Sequence, residues 1–208
     1  MMKLQWIERD GQLICGERIF DPSGLEWISG AISNHNAENV TPSQALQRLA
    51  VRQSLKRVPI GIIGPREATP AQYDLAEQLG AALADHGLQL LCGGKTGVME
   101  AACKGHASKG GLPIGILPDE EWQAANPYVA IPIASGIGPA RNAIIARACL
   151  ALIAIGGGVG TLSEMALGLQ FNRVVLAMAD APPVIGASVI ATVDEALERI
   201  AAHLFKIM

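Results

Sequence analysis

The sequence predicts an α/β protein: a Rossmann-like parallel sheet with helices on both faces, preceded by an N-terminal β-hairpin extension. Three observations predict it. From residue 58 onward, short and uniformly apolar runs alternate with segments of helical period, the pattern of strands buried on both faces of a parallel sheet. Glycine clusters follow several of these runs, at the strand ends where such sheets bind ligands. The apolar half of the chain is mostly Ala, Ile, Leu, Val and Gly, with only 4% aromatic residues. Small side chains of that kind let helices lie close on a sheet.

Residues 1–57 have a different texture. Lys3–Arg9 and Leu13–Phe20 flank Asp10-Gly11, a strong hairpin signal. A polar loop follows around Ser33–Asn39. Thr41-Pro42-Ser43-Gln44 then opens a helix, with Thr as N-cap, Pro at N1 and Gln at N3. Leu46, Leu49 and Gln53 carry that helix to about Lys56. The chain thus divides into an N-terminal hairpin-and-helix extension, 1–57, and a Rossmann-like nucleotide-binding domain, 58–208.

In the second part Val58–Ile63 reads as a strand, followed by the turn Gly64-Pro65-Arg66-Glu67. Thr69-Pro70-Ala71-Gln72 repeats the helix start. Leu75, Leu79, Ala82 and Leu83 share one face, and Gly87 suits the helix end. Leu88–Cys92 is the next strand. It ends in Gly93-Gly94-Lys95-Thr96-Gly97 and leads into a helix from Val98 to Lys109. Leu112–Leu117 is a third strand, Asp119–Ala125 a short helix, and Tyr128–Ile133 a fourth strand. Pro139 opens a helix through Arg147. Leu150–Ile155 is a fully apolar strand, Gly156–Gly160 a glycine turn, and Thr161–Gln170 a helix. After the strand Val174–Met178, the capping box Thr192-Val193-Asp194-Glu195 starts a last helix bearing Ala196, Leu197, Ile200, Ala201 and Leu204.

Composition narrows the function. The net charge is −3 with no lysine or arginine stripe, which argues against a nucleic-acid partner while leaving room for one small anion. Trp122–Ala140 is the longest uncharged stretch, and its three prolines, Pro127, Pro132 and Pro139, argue against a membrane span. The charged N-terminus does not suit a secretion signal. Cys15, Cys92, Cys103 and Cys149 are widely spaced and read as buried free thiols of a cytoplasmic protein. His35, His86, His106 and His203 form no triad, and no metal-ligand spacing appears.

The sharpest motif is Gly156-Gly157-Gly158-Val159-Gly160-Thr161-Leu162-Ser163-Glu164. Glycines there allow positive φ and close approach of a ligand. The unpaired amides and dipole of a helix start favour an anion, so Gly157, Gly158, Val159, Gly160 and Thr161 form a candidate phosphate loop. The plainer alternative is a tight turn with close helix packing. The motif is neither the nucleoside-triphosphatase loop nor the dinucleotide fingerprint. Glu164 either favours the helix dipole or faces the ligand's ribose. Arg141, in the first turn of its helix, opposes the dipole there, which asks for a phosphate or Glu164 as partner. Gly64, Pro65, Arg66, Gly93, Gly94, Lys95, Thr96 and Met99 are weaker candidates for the same site; Lys95 as a solvated loop lysine and Met99 as a core filler are the plainer readings.

Four segments in order, Ile60–Pro65, Cys92–Ala102, Arg141–Ala148 and Ile155–Glu164, resemble the Lonely Guy (LOG) family, once called lysine decarboxylase-like. Within it the chain is most similar to the branch of molybdenum-cofactor carrier proteins. The resemblance covers residues 58 to about 204. It implies a homo-oligomer, dimer or tetramer. For the family's enzymes it implies hydrolysis of a nucleoside 5′-monophosphate to free base and ribose 5-phosphate, with Arg141 and Glu164 as the catalytic pair. The chain departs from those enzymes at Gly156, where they carry proline; at Asn142, where they carry lysine; and at Glu100, where they carry glycine. These departures favour the carrier-like branch.

Three functions therefore stand side by side: a phosphoribohydrolase, a non-catalytic carrier or sensor of a phosphorylated pterin or nucleotide, and a DNA-binding relative. No cofactor is required by the first; a bound nucleotide, phosphate or molybdopterin-like ligand suits the second. Lysine decarboxylation lacks a lysine marked for the pyridoxal phosphate that it needs.

Overall fold

The computed structural model describes residues 3–33, 35–52 and 54–207. Strands β1 (Leu4–Ile7) and β2 (Gln12–Cys15) form the expected hairpin, with Trp6 opposite Leu13. The run Leu13–Phe20, however, is not one strand. Gly16 takes φ 62°, as the first position of a two-residue hairpin turn requires, and Cys15 pairs with Arg18 across it. β3 (Arg18–Asp21) thus folds back on β2, and β4 (Glu26–Ser29) on β3. β5 (Glu38–Val40) forms within the stretch expected to be a polar loop, because its backbone pairs with β1; pairing overrides a poor strand propensity. The extension is therefore a five-stranded antiparallel sheet in the order β4-β3-β2-β1-β5, larger than one hairpin. Asn34, in the expected loop, lies outside the described residues.

Helix α1 (Pro42–Val51) has its capping box: Thr41 Oγ1 accepts from the Gln44 amide at 3.3 Å, and Gln44 Oε1 from the Thr41 amide at 2.9 Å. It stops short of Lys56. The chain turns away so that Leu55 is buried and the Lys56 amide donates to the Pro22 carbonyl at 2.9 Å. Gln53, expected on this helix, lies outside the described residues.

The second sheet follows in the expected rhythm: β6 (Pro59–Ile63), α2 (Pro70–Asp85), β7 (Gln89–Cys92), α3 (Val98–Ser108), β8 (Ile114–Leu117) and β9 (Ile131–Ala134). Then come α4 (Asn142–Ala148), β10 (Ala151–Ile155), α5 (Val159–Gln170), β11 (Val174–Met178), β12 (Ser188–Val189) and α6 (Val193–Leu204). The seven strands are all parallel, in the order β12-β11-β10-β6-β7-β8-β9. Two expected helices are reduced. The stretch 119–125 holds a single 3-10 turn, Trp122–Ala124, and the helix opened by Pro139 begins as a 3-10 turn, Gly138–Arg141, before α4. β12 carries no strand signal of its own; it is a two-residue exposed edge.

Alternate residues of each strand enter two cores. Ile60, Ile62, Ala151, Ile153 and Ile155 face α2, α3 and α6, while Ile63, Leu152 and Ala154 face α4 and α5. The first core also takes Trp6, Phe20 and Leu46 from the extension. Phe20 meets Trp27 and Phe205 edge-on, at 5.2 and 4.8 Å between ring centroids, and Trp27 Nε1 donates to the Phe205 carbonyl at 2.7 Å. Residue 57 thus marks a change of sheet, and the hydrophobic core runs across it. Among the described residues no helix is long and apolar enough to cross a membrane.

Strand order reverses between β6 and β10. The chain builds outward from β6 through β7 and β8 to β9, then returns to β10 and builds the other way. A crevice opens beyond the carboxyl ends of two strands that diverge in this manner. The turns after both strands carry the glycines noted above.

Candidate functional site

The turn after β10 is made by glycines with separate duties. Gly156 (φ 56°) and Gly157 (φ 124°) hold the left-handed backbone that carries the chain from strand to helix. A side chain on Gly157 would also strike Thr161. Gly158 and Gly160 have ordinary φ, and a β-carbon on either would meet nothing. The fold does not need glycine at those two positions; a molecule approaching from outside would benefit from it.

α5 starts at Val159, two residues before the expected Thr161, with Gly158 as N-cap. The Leu162 amide makes the first turn's bond, to the Gly158 carbonyl at 2.9 Å. The amides of Val159, Gly160 and Thr161 therefore have no partner within the helix, and they carry the positive end of its dipole. Glu164 consequently lies in the second turn, with its side chain buried.

Arg141 closes the 3-10 turn before α4 and reaches inward. Its Nη1 donates to Glu164 Oε1 at 3.0 Å and to Asn142 Oδ1. Asn142 Nδ2 donates to Ser163 Oγ at 2.9 Å, and Ser163 Oγ donates to the Gly160 carbonyl at 2.7 Å. One chain of bonds thus joins the guanidinium to the first turn of α5. Gly93 makes room for it: a β-carbon there would overlap the guanidinium, with the Met99 sulfur alongside. Arg141 Nε is buried without a partner among the described residues. Burial pushes the Glu164 carboxyl up to about 7, against the opposing charge and hydrogen bond of Arg141. Desolvation thus outweighs the ion pair.

These groups line a cleft of about 340 Å³. One wall is the turn Gly64-Pro65-Arg66 after β6, and another is formed by Pro118 and the segment Pro139–Asn142. α5 supplies the third, with Gly158, Gly160, Thr161 and Glu164, and Met99 also lines it. Gly93, Gly94, Lys95 and Thr96 do not line the cleft. Lys95 Nζ binds Asp119 Oδ2 at 2.9 Å and the Ala124 carbonyl at 2.8 Å, and Thr96 Oγ1 donates to the Arg66 carbonyl at 3.1 Å. These residues brace the loops on either side. Gly157 shapes the turn, and the Val159 side chain is exposed outside the cleft. Sequence reasoning missed Asn142, Ser163, Pro118 and Pro139 as parts of the site. Adjacency to Arg141 and Glu164 could have found the first two; no sequence signal marks Pro118.

Comparisons with known proteins identify the family and the fold. A family model described as the SLOG cluster4 family matches residues 57–203. An uncharacterized protein of Archaeoglobus fulgidus is 41% identical over 145 residues, 69% of this chain and 94% of that protein. Among solved structures, the molybdenum cofactor binding protein of the phototrophic bacterium Rippkaea orientalis superposes with a TM-score of 0.67 at 34% identity, covering 72% of this chain and 98% of that one. The Moco carrier protein of Chlamydomonas reinhardtii superposes with a TM-score of 0.66 at 34% identity, covering 73% and 99%.

Proposed function

The chain belongs to the SLOG cluster4 family, and from that premise we propose that its cleft binds a small phosphorylated ligand, molybdopterin-like or nucleotide-like, as a carrier or sensor. One observation carries the reading. The unpaired amides of Val159, Gly160 and Thr161, the open space over Gly158 and Gly160, and the guanidinium of Arg141 converge on one crevice. A phosphate fits that set: backbone donors and a helix dipole on one side, a planar cation on the other. The likeness to a molybdenum cofactor binding protein and to a Moco carrier protein supports a pterin-bearing cargo. Arg66, at the cleft wall, is a second cation for an extended anion.

The proposal extends to a homo-oligomer, a cytoplasmic location and no nucleic-acid partner. Ile131 and Ile133 support the first. Their neighbours across the ladder, Ile114 and Ile116, face α4 and α5, yet both isoleucines are exposed, as is Ile144 on α4. An uncovered apolar sheet face beside a helix suits a second copy of the chain.

A second reading, hydrolysis of the N-glycosidic bond of a nucleoside 5′-monophosphate, is favoured by Glu164 alone. A carboxyl pushed up to about 7 exchanges a proton near neutrality, as a general acid or base must. In that reading Glu164 orients water or steadies the ribosyl cation, and Arg141 holds the phosphate. Among the described residues Glu164 is the only acid lining the cleft, so no second carboxyl assists the departing base.

Titration calorimetry with the molybdenum cofactor and with each common nucleoside monophosphate, followed by chromatography of the same mixtures, separates the readings. Binding with the ligand recovered intact supports the carrier. Free base released from a monophosphate, and lost in Glu164→Gln, supports the enzyme. Absence of binding to every compound would overturn both.

A further inference from the structure

Two thiols lie together beneath the cleft, and neither is used by the site just described. Cys92 ends β7 and Cys103 sits in the second turn of α3; their sulfurs are 3.5 Å apart, and both residues are fully buried. Both belong to the core on the α2–α3 side, whereas Cys149 faces the α4–α5 core. Cys92 Sγ accepts the Gly94 amide at 3.3 Å, and the next residue, Gly93, is the one that leaves room for the Arg141 guanidinium.

We infer that Cys92 and Cys103 form a reversible dithiol–disulfide site, closed by a hydroperoxide and reopened by a thiol reductant. The two sulfurs need to move only from contact to bonding distance, between two elements already packed together. Their roles differ. Cys92 shares an S–H bond with Cys103, accepts the Gly94 amide and lies in the field of Arg141, which together hold its thiol below the usual range; Cys103 is pushed far above it. Cys92 is therefore the attacking sulfur. Its thiolate displaces hydroxide from the peroxide and becomes a sulfenic acid. The Cys103 thiol then gives up its proton as its sulfur attacks the sulfenic sulfur, and water leaves. Two thiols and one hydrogen peroxide yield one disulfide and two waters, with two electrons passing from sulfur to oxygen. A small oxidant is required, because both thiols are fully buried and Cys92 Sγ lies against the Met99 carbonyl in the first turn of α3.

The arrangement of basic residues makes the test direct. Trypsin cleaves after Arg66, Lys95 and Lys104, with no other lysine or arginine between them, so Cys92 and Cys103 fall on separate peptides, 67–95 and 96–104. The folded, fully reduced chain is treated with hydrogen peroxide, alkylated under denaturing conditions and digested. The expected product is a cross-linked 67–95/96–104 pair, with the intact chain lighter by two hydrogen atoms before alkylation and restored by dithiothreitol. In Cys103→Ser the pair should vanish and Cys92 should be recovered as a sulfenic or higher acid. Recovery of both peptides as alkylated thiols after peroxide would overturn the inference. So would oxidation of Cys92 in the wild-type chain with no cross-link to Cys103. The wild-type mapping decides the matter even where the serine variant does not fold, and it does not depend on what the cleft binds.

Discussion

Arg141 Nη1 lies 3.0 Å from Glu164 Oε1, with only 8% and 9% of the two side chains exposed. The pair joins the 3-10 turn before α4 to the second turn of α5, and so spans the crevice between the elements that flank β10. Attraction within the pair does not cover the cost of burying the carboxylate: its ionisation moves up to about 7 even with the guanidinium in contact. Such a site holds an acid that changes charge near neutral pH, beside a cation with a donor to spare in Nε.

The first prediction concerns stability. Glu164 ionises near 4.5 in the unfolded chain and at about 7 in the folded one. Between these values the folded state holds a proton that the unfolded state has lost, so stability falls as pH rises from 4.5 to 7, by up to about 3 kcal/mol from this group. Urea unfolding of the wild type and Glu164→Gln across that range should give a difference that changes with pH by this order. A difference independent of pH would show that Glu164 ionises normally in the fold.

On the proposed reading the same carboxyl should govern ligand affinity. A phosphate placed on α5 brings negative charge towards Glu164 and favours its protonated form, so binding takes up a proton. Affinity for adenosine monophosphate should weaken by up to about tenfold per pH unit from 7 to 8, where ionisation of the phosphate itself, with a second pKa of about 6, changes little. Glu164→Gln should flatten the dependence. An equal slope in both proteins would assign the proton to another group.

Gly160→Ala separates fold from site. Position 160 lies in the first turn of α5, its φ is ordinary and a β-carbon there meets nothing. Alanine should leave the chain as stable or more so, by about 0.4–1 kcal/mol, while weakening phosphate-ligand binding at least tenfold. If affinity is retained, the ligand does not approach this turn.

The parallel sheet and the phosphate-loop candidate were legible because each rests on local chemistry: apolar strand runs, Thr-Pro-x-Gln caps and glycines at strand ends. Two capping boxes, at Thr41 and Thr69, stand as the spacing requires. Misreadings arose where distant backbone decided the matter. β5 is a strand only because β1 lies beside it, and Leu13–Phe20 breaks at Gly16 so that β3 can receive β4. The proximity of Arg141 and Glu164 was expected, as one of two partners, from a cation at a helix start and again from the family resemblance. The chain of bonds through Asn142 and Ser163 was not, since it depends on how α4 lies against α5. Lys95, conspicuous in its glycine loop, is occupied by Asp119 and Ala124; sequence spacing carries no sign of that pairing.

Arg141→Lys tests the geometry of the cation. Lysine keeps the charge but not the planar fork, whose Nη1 already serves both Glu164 and Asn142 and whose other nitrogens remain for a phosphate. The loss of a charged hydrogen bond costs about 1.5–3 kcal/mol, so ligand affinity should drop roughly tenfold to a hundredfold in calorimetry. Circular dichroism should confirm the fold at the temperature of the titration. Wild-type affinity in the lysine variant would mean that charge alone suffices and that Arg141 does not grip the phosphate in two places.

The exposed isoleucines give the last prediction. Ile131 and Ile133 lie on edge strand β9, 42% and 47% exposed, on the face that α4 and α5 cover only over the neighbouring strands. Each side chain covered by a second copy contributes on the order of 1 kcal/mol from the area removed from water, and a two-fold contact counts every residue twice. A charge at these positions opposes burial strongly but costs the isolated subunit little, because both side chains already meet solvent. The double variant Ile131→Glu, Ile133→Glu should therefore sediment as a monomer while its far-ultraviolet circular dichroism is unchanged. The wild type should sediment as a dimer or tetramer at micromolar concentration. A wild-type monomer would remove the oligomer from the proposal. An unchanged oligomer in the double variant would move the contact to another face, the exposed edge at β12 being the alternative.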